Sequence, residues 1–255
     1  MINKKTANPH GSRGGGGFSN PLKKFLDLKQ SKKGIKAFTL AEVLITLTII
    51  GVVSAMTIPT LMNRYEAIQL RSAFLTANSV VKSVAGTMNS VGDHFDDISA
   101  EEISKYFKAS EFKNTASNPY MNFHGTRKAS DASANPKISE FKFQNGMTAL
   151  VFKTNPSYSG TKKATKNLLA VDINGKDKKP NRYGHDVYFW YHSDISEQIE
   201  VIGSVNSKEE FGFWQTICQV EKVNSSEAEN GIGCGARALV EQKWFENLKN
   251  QKYTK

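Results

Sequence analysis

Cysteine is almost missing from this chain of 255 residues: two residues, which rules out a disulfide-dense scaffold and a four-cysteine zinc site. Long apolar runs are scarce as well. The mean hydropathy of −0.44 excludes a polytopic membrane protein, although a single span of about 20 residues would barely move an average over this length. Acidic residues are outnumbered, 24 against 34 Lys plus Arg, and the net charge of +10 suggests a binder of nucleic acid or of a membrane surface. That suggestion weakens once the charge is located. Residues 1 to 37 hold nine basic residues and one acid, a net of +8, leaving 25 against 23, or +2, for the rest. A chain of this size can bury one ordinary core, so a single folded domain with an appendage is expected.

The basic segment contains Gly14 to Gly17 and few large apolar residues, and it gives way abruptly to an apolar run from Phe38 to Ile58. The composition reads as a disordered basic leader in front of a membrane segment. Val43 to Asn63 contains no charge, and 21 residues from Phe38 to Ile58 would reach about 31 Å as a helix, enough for a bilayer core. The positive-inside rule places the leader in the cytoplasm and everything past Pro59 outside. Glu42 stands out, because a carboxylate at mid-bilayer costs about 2.5 to 3.5 kcal/mol and is by default functional. Two ordinary readings compete: a long signal peptide cut after Val53-Ser54-Ala55, and a plain anchor with Glu42 near the interface.

The residues Lys32-Lys33-Gly34-Ile35-Lys36-Ala37, then Phe38-Thr39-Leu40-Ala41-Glu42, then an apolar helix with Pro59 near its end, resemble the N-terminal signal of type IV pilins and type II secretion pseudopilins. The resemblance covers about residues 32 to 65. It implies cleavage by a prepilin peptidase between Ala37 and Phe38, N-methylation of Phe38, and assembly with other pilin or pseudopilin subunits at an inner-membrane platform. Glu42 would face the Phe38 amine of a neighbouring subunit. An α-amino group with a pKa near 7.7 to 8.0 is largely cationic at neutral pH, so each charge costs less paired than alone in a low-dielectric bundle. Ala37 stands where Gly is commonest. A cut after Gly34 would put Thr39, not Glu42, fifth in the mature chain. The implied location is the bacterial inner membrane as a single-pass protein, then a surface or periplasmic filament.

Past Pro59, the spacing of Leu61, Tyr65, Ile68, Leu75, Val81, Val84, Met88 and Val91 predicts that the helix continues to about residue 90, with a bend or softened stretch at Gly51 and Pro59. The implied organisation is a cleaved leader (1–37), a membrane helix and assembly motif (38–58), an amphipathic continuation (59–91) and an extracytoplasmic head (92–255). A short helix should end near Phe107 in an otherwise polar stretch from 92 to 137. Glu140 to Phe143 and Met147 to Phe152 around Asn145-Gly146 read as a hairpin, with further strands at 168–173, 186–192 and 198–202 and a helix at 237–249. A long helix on an antiparallel sheet makes an α+β, pilin-like head.

The loop from Asp172 to Asp186 is dense in oxygen side chains, and Asp172, Asn174, Asp177, Asn181 and Asp186 are candidate ligands for a structural calcium ion. Heads of major type II secretion pseudopilins use calcium in this general way. The EF-hand pattern is not met: Lys176 and Tyr183 fall at ligand positions, and the same residue types equally serve a tight connection. Cys218 and Cys234 predict a disulfide in an exported chain, at a position resembling the C-terminal disulfide loop of type IV pilins. Residues 142 to 192 hold nine basic groups against three acidic ones, and 193 to 255 seven against ten. Lys162, Lys163, Lys166, Lys176, Lys178, Lys179 and Arg182 could attract nucleic acid; complementary contact between subunits is the simpler reading. No nucleophile, acid/base pair or phosphate loop stands out, so a structural subunit rather than an enzyme is expected. The competing class is a single-pass or exported protein that never polymerises and captures nucleic acid or another anion on its basic head.

Overall fold

The computed structural model describes residues 38–115, 118–126, 138–154, 166–211, 217–221 and 229–250. The leader (1–37), including Ala37, and Lys162 and Lys163 lie outside the described residues. The chain divides into two compact units between Val52 and Val53.

One helix, α1, runs from Leu40 to Val91. From Leu40 to Glu66 no residue is buried, although the stretch is crowded with Leu, Ile and Val. From Ala67 onward a stripe appears, Ala67, Leu70, Phe74, Ala77, Val81, Ala85 and Met88, with steps of three and four that keep one helix face on the head's core. The apolar stretch is thus left uncovered while the amphipathic one is packed. Among the described residues α1 is the single helix long and apolar enough to cross a membrane. The helix is continuous through Gly51 and Pro59. Pro59 removes one backbone hydrogen bond, and the helix runs on through that loss.

The head is built on a six-stranded antiparallel sheet in sequence order: β1 Glu111–Thr115, β2 Ile138–Lys142, β3 Thr148–Thr154, β4 Lys166–Asp172, β5 Val187–Ser193 and β6 Gln198–Val201. Period-2 alternation divides it into two faces. Ala149, Val151, Leu169, Val171, Tyr188 and Trp190 join the α1 stripe in one core, and Leu150, Ala170, Val187, Phe189 and Tyr191 join Tyr120, Tyr183, Ile202 and Phe211 in a second. Phe74 centres the first, with its ring 4.5 Å from Tyr188, 6.0 Å from Trp190 and 5.9 Å from Phe245.

Among the described residues of the head there are also the short α-helices α2 Ala100–Tyr106, α3 Val205–Phe211, α4 Gly235–Val240 and α5 Trp244–Lys249, and a 3-10 turn, Ile232–Cys234. A capping box opens α2, Ser99 and Glu102 each holding the other's backbone N–H. The expected helix over 237–249 is two helices, because Glu241 leaves the helix with ψ 105° and Trp244 turns into the core. The edge strand β1 and the helix α3 were not anticipated. Cys218 and Cys234 are joined by a disulfide.

Candidate functional site

Two places in the chain carry chemistry that packing alone does not explain. The first is the start of α1. Thr39 and Glu42 form a capping box: the Thr39 N–H and hydroxyl donate to Glu42 Oε2 at 2.9 and 2.8 Å, and Glu42 N–H donates to the Thr39 hydroxyl at 3.2 Å. Thr39 was not singled out in the sequence, though Thr-x-x-Glu ahead of an apolar run is the written form of this motif. Phe38 and Glu42 are both exposed, so the segment's most polar side chain and its neighbours are bare together. In lipid, such a carboxylate calls for a cationic partner.

The second place lies in the head, at the connection between β4 and β5. Asp172 ends β4 opposite Val187, and Asp186 stands just before β5, so the antiparallel ladder brings the two carboxylates to one end of the sheet. Both are buried. Asp172 Oδ1 accepts from the N–H groups of Asn174 (3.3 Å) and Gly175 (3.0 Å), and Asp186 accepts from those of Asn181 (2.8 Å) and Arg182 (2.7 Å). Gly175 has φ +86°, and a side chain there would meet the Gly146 carbonyl oxygen of the β2–β3 turn at 2.6 Å, so only glycine fits. Segment 118–123 is laid across this loop by Met121 N–H to the Asn181 carbonyl and Tyr183 N–H to the Met121 carbonyl, each 3.0 Å.

Three oxygens in this pocket, Asp172 Oδ2, Asn174 Oδ1 and Asn181 Oδ1, are shielded from solvent and accept no hydrogen bond. The Tyr120 hydroxyl lies near enough to lower the pKa of Asp172, yet no hydrogen bond of acceptable geometry joins them. Burial, with the Asp186 charge second, pushes Asp172 up to about 8, and burial pushes Asp186 up to about 6. Buried, mutually repelling carboxylates beside unpaired amide oxygens are an arrangement short of positive charge. Oxygen donors of this kind are the ones a hard divalent cation such as calcium takes. Asp177 is exposed, unlike the buried Asp172 and Asp186, and lines the same cavity as Asn174.

A third group, Asp96, His192 and Asp194, has metal-ligand proximity. The Lys166 ammonium already occupies it, 2.6 Å from Asp194, 3.1 Å from Glu210 and 3.7 Å from Asp96. Lys166 is therefore an interior counter-ion, and Lys176 is bound to Glu140 at 2.7 Å. Neither is available to the basic patch suggested by the sequence. Lys178, Lys179 and Arg182 remain.

Residues 32–58 match the family model of the prokaryotic N-terminal methylation motif. No curated protein and no solved structure matches the chain. With a long N-terminal helix and a six-stranded antiparallel head behind it, the molecule has a pilin-like α+β architecture. More particularly, it carries the N-terminal signal of type IV pilins and pseudopilins on a helix suited to anchoring in a membrane.

Proposed function

We propose that the chain is a prepilin-like structural subunit. Prepilin peptidase cuts between Ala37 and Phe38 and the new Phe38 amine is methylated. Residues 38–58 hold the protein in the inner membrane with the head outside. Subunits then assemble through this helix into a type IV pilus or a secretion pseudopilus, with Glu42 pairing with the Phe38 amine of a neighbour to set the axial register.

The observation that carries this reading is the division of α1: no residue of the helical stretch matching the methylation motif is buried, while a buried stripe begins at Ala67. An uncovered apolar helix end has its place in lipid or against copies of itself. Intact mass and N-terminal sequencing of the protein from its own membrane fraction, without reduction, test the pathway. The expected chain begins at N-methylated Phe38; a start at Met56 or an uncut Met1 would overturn the reading.

A second element of the proposal concerns the head. A divalent cation, calcium by the hardness of the donors, is held by Asp172, Asn174, Asn181 and Asp186, and the three unpaired buried oxygens support it. Its contribution would be charge neutralisation that ties the β4–β5 connection to the end of the sheet.

A further inference from the structure

Beside α1 the head opens into a groove. A cavity of about 730 Å³ is lined by Glu66, Leu70 and Ala73 of α1 together with Lys178, Lys179 and Lys249. A second, of about 510 Å³, shares Leu70, Lys179 and Lys249 and continues to Arg182, His185 and Leu248. Four cations therefore border the groove, from two parts of the chain that the sequence keeps far apart, against the acids Glu66 and Asp177. Glu66 is already bound to Lys249 at 2.6 Å. Among the described residues Lys178, Lys179 and Arg182 form no ion pair, and Lys178 and Lys179 are exposed.

The groove is not a merely solvated face. His185 is buried at its edge, with a ring nitrogen, Nε2, that has no hydrogen-bond partner. Burial first, and then the Arg182, His124 and Lys249 charges, push its pKa down to about 3. A neutral imidazole is thus held inside a positive field. Leu70, Met147, Ile173 and Leu248 add apolar lining beside the cations, so the groove offers both halves of what an amphiphile presents.

Its position along α1 selects the occupant. The membrane segment 38–58 ends at Ile58, and Glu66 to Ala73 follow it by eight to fifteen residues, about 12 to 22 Å along the helix, so the end of the groove at Glu66 is the part nearest the headgroups. The headgroup layer extends roughly 5 to 7 Å beyond each side of the hydrocarbon core, and lysine side chains reach several ångströms toward it. Lipid phosphates are therefore the anions nearest to the cations at the Glu66 end of the groove.

We infer that this groove, through Lys178, Lys179 and Arg182 and with Lys249 held by Glu66 beside them, binds the phosphate headgroup of an anionic phospholipid and so holds the base of the head against the membrane surface before assembly. The inference rests on the membrane reading of residues 38–58. An interfacial basic residue is worth roughly a fivefold preference for an anionic lipid.

The full chain, extracted in mild detergent and titrated with phosphatidylglycerol or phosphatidylcholine of the same acyl chains, is read by native mass spectrometry. At least a fivefold preference for phosphatidylglycerol is expected. It should be lost in Lys178→Gln/Lys179→Gln, whose exposed side chains do not support the fold, and retained in Lys82→Gln, an exposed lysine higher on α1. Equal retention of the two lipids, or a preference unchanged in the double variant, would overturn the inference, as would binding of single-stranded DNA without lipid preference. Extraction of the protein from membranes by alkaline carbonate would instead defeat the membrane reading; a chain that resists carbonate yet shows no lipid preference defeats this inference alone.

Discussion

Asp172 and Asp186 are an unfavourable pair as they stand, and the pH at which they trouble the head follows from their environment. An aspartate in the unfolded chain titrates near 3.8, and burial lifts folded Asp172 to about 8 and folded Asp186 to about 6. Between those limits the folded state carries protons that the unfolded state has given up, so stability falls as pH rises from about 4 toward 8. On the proposed cation site, a divalent cation would replace those protons. Raising calcium to a hundredfold its dissociation constant should add about 2.7 kcal/mol, or roughly 5 to 10 °C in Tm for a head of this size. The gain should be larger at pH 8 than at pH 5, where protons compete. Tryptophan fluorescence of the full chain during heating, with calcium or with a chelator, measures it. Asp172→Asn should abolish the calcium response and flatten the pH slope; a Tm indifferent to calcium at pH 8 would remove the cation from the account. The carboxylates and amides of this loop were visible in the sequence as a dense oxygen cluster. Tyr120 was not, because it comes near Asp172 only where residues 118–123 are pinned to the loop by the Met121 hydrogen bonds.

At the scale of elements, legibility tracked periodicity. α1 and strands β2 to β6 follow from apolar spacing of 3.6 or 2, and the Asn145-Gly146 turn marks the β2–β3 hairpin. Edge strand β1 carries only Phe112 toward the core between Glu111 and Lys113, too little alternation to announce a strand. Helix α3 buries Ser207, Glu210 and Phe211, two of them polar, because Glu210 answers the buried Lys166 rather than an apolar face. A contact with an ion arriving from β4 leaves no local trace. The break between α4 and α5 is likewise tertiary: Trp244 gives its indole N–H to the Tyr188 hydroxyl at 3.1 Å and to the Gly184 carbonyl oxygen at 3.3 Å, and a continuous helix would not leave it free to do so. The element that joins helix to sheet most firmly is the Phe74 cluster. Phe74→Ala should cost about 3 to 5 kcal/mol, because its fully buried ring leaves a cavity that Tyr188, Trp190 and Phe245 cannot close. Denaturant unfolding of the head measures that loss, whereas Leu75→Ala, one step round the helix on its exposed side, should cost under about 0.5 kcal/mol.

For the whole molecule, the division of α1 separates two kinds of failure. Head stability depends on the stripe that begins at Ala67, and the methylation motif ends at Ile58 without sharing a buried residue with it. Glu42 therefore contributes nothing to the head's core, and its capping box with Thr39 is exposed, where a cap is worth about 1 kcal/mol of local helix stability. In lipid the balance differs. Removing the carboxylate relieves an insertion cost of at most about 3 kcal/mol, so Glu42→Ala should enter the membrane at least as readily as the native chain. On the proposed assembly it would lose the partner of a neighbouring Phe38 amine, a charge that would then stand unpaired among packed helices. The expected variant is cleaved after Ala37, methylated, membrane-bound and unchanged in the thermal unfolding of its head, yet absent from sheared filament fractions. Glu42→Asp should restore assembly in part, because the charge is kept on a side chain shorter by one methylene. If Glu42→Ala assembles as the native chain does, the pairing of Glu42 with Phe38 does not set the register, and helix packing alone would have to do so. If instead its head melts earlier, the two parts of α1 are coupled in a way that the buried stripe beginning at Ala67 does not provide.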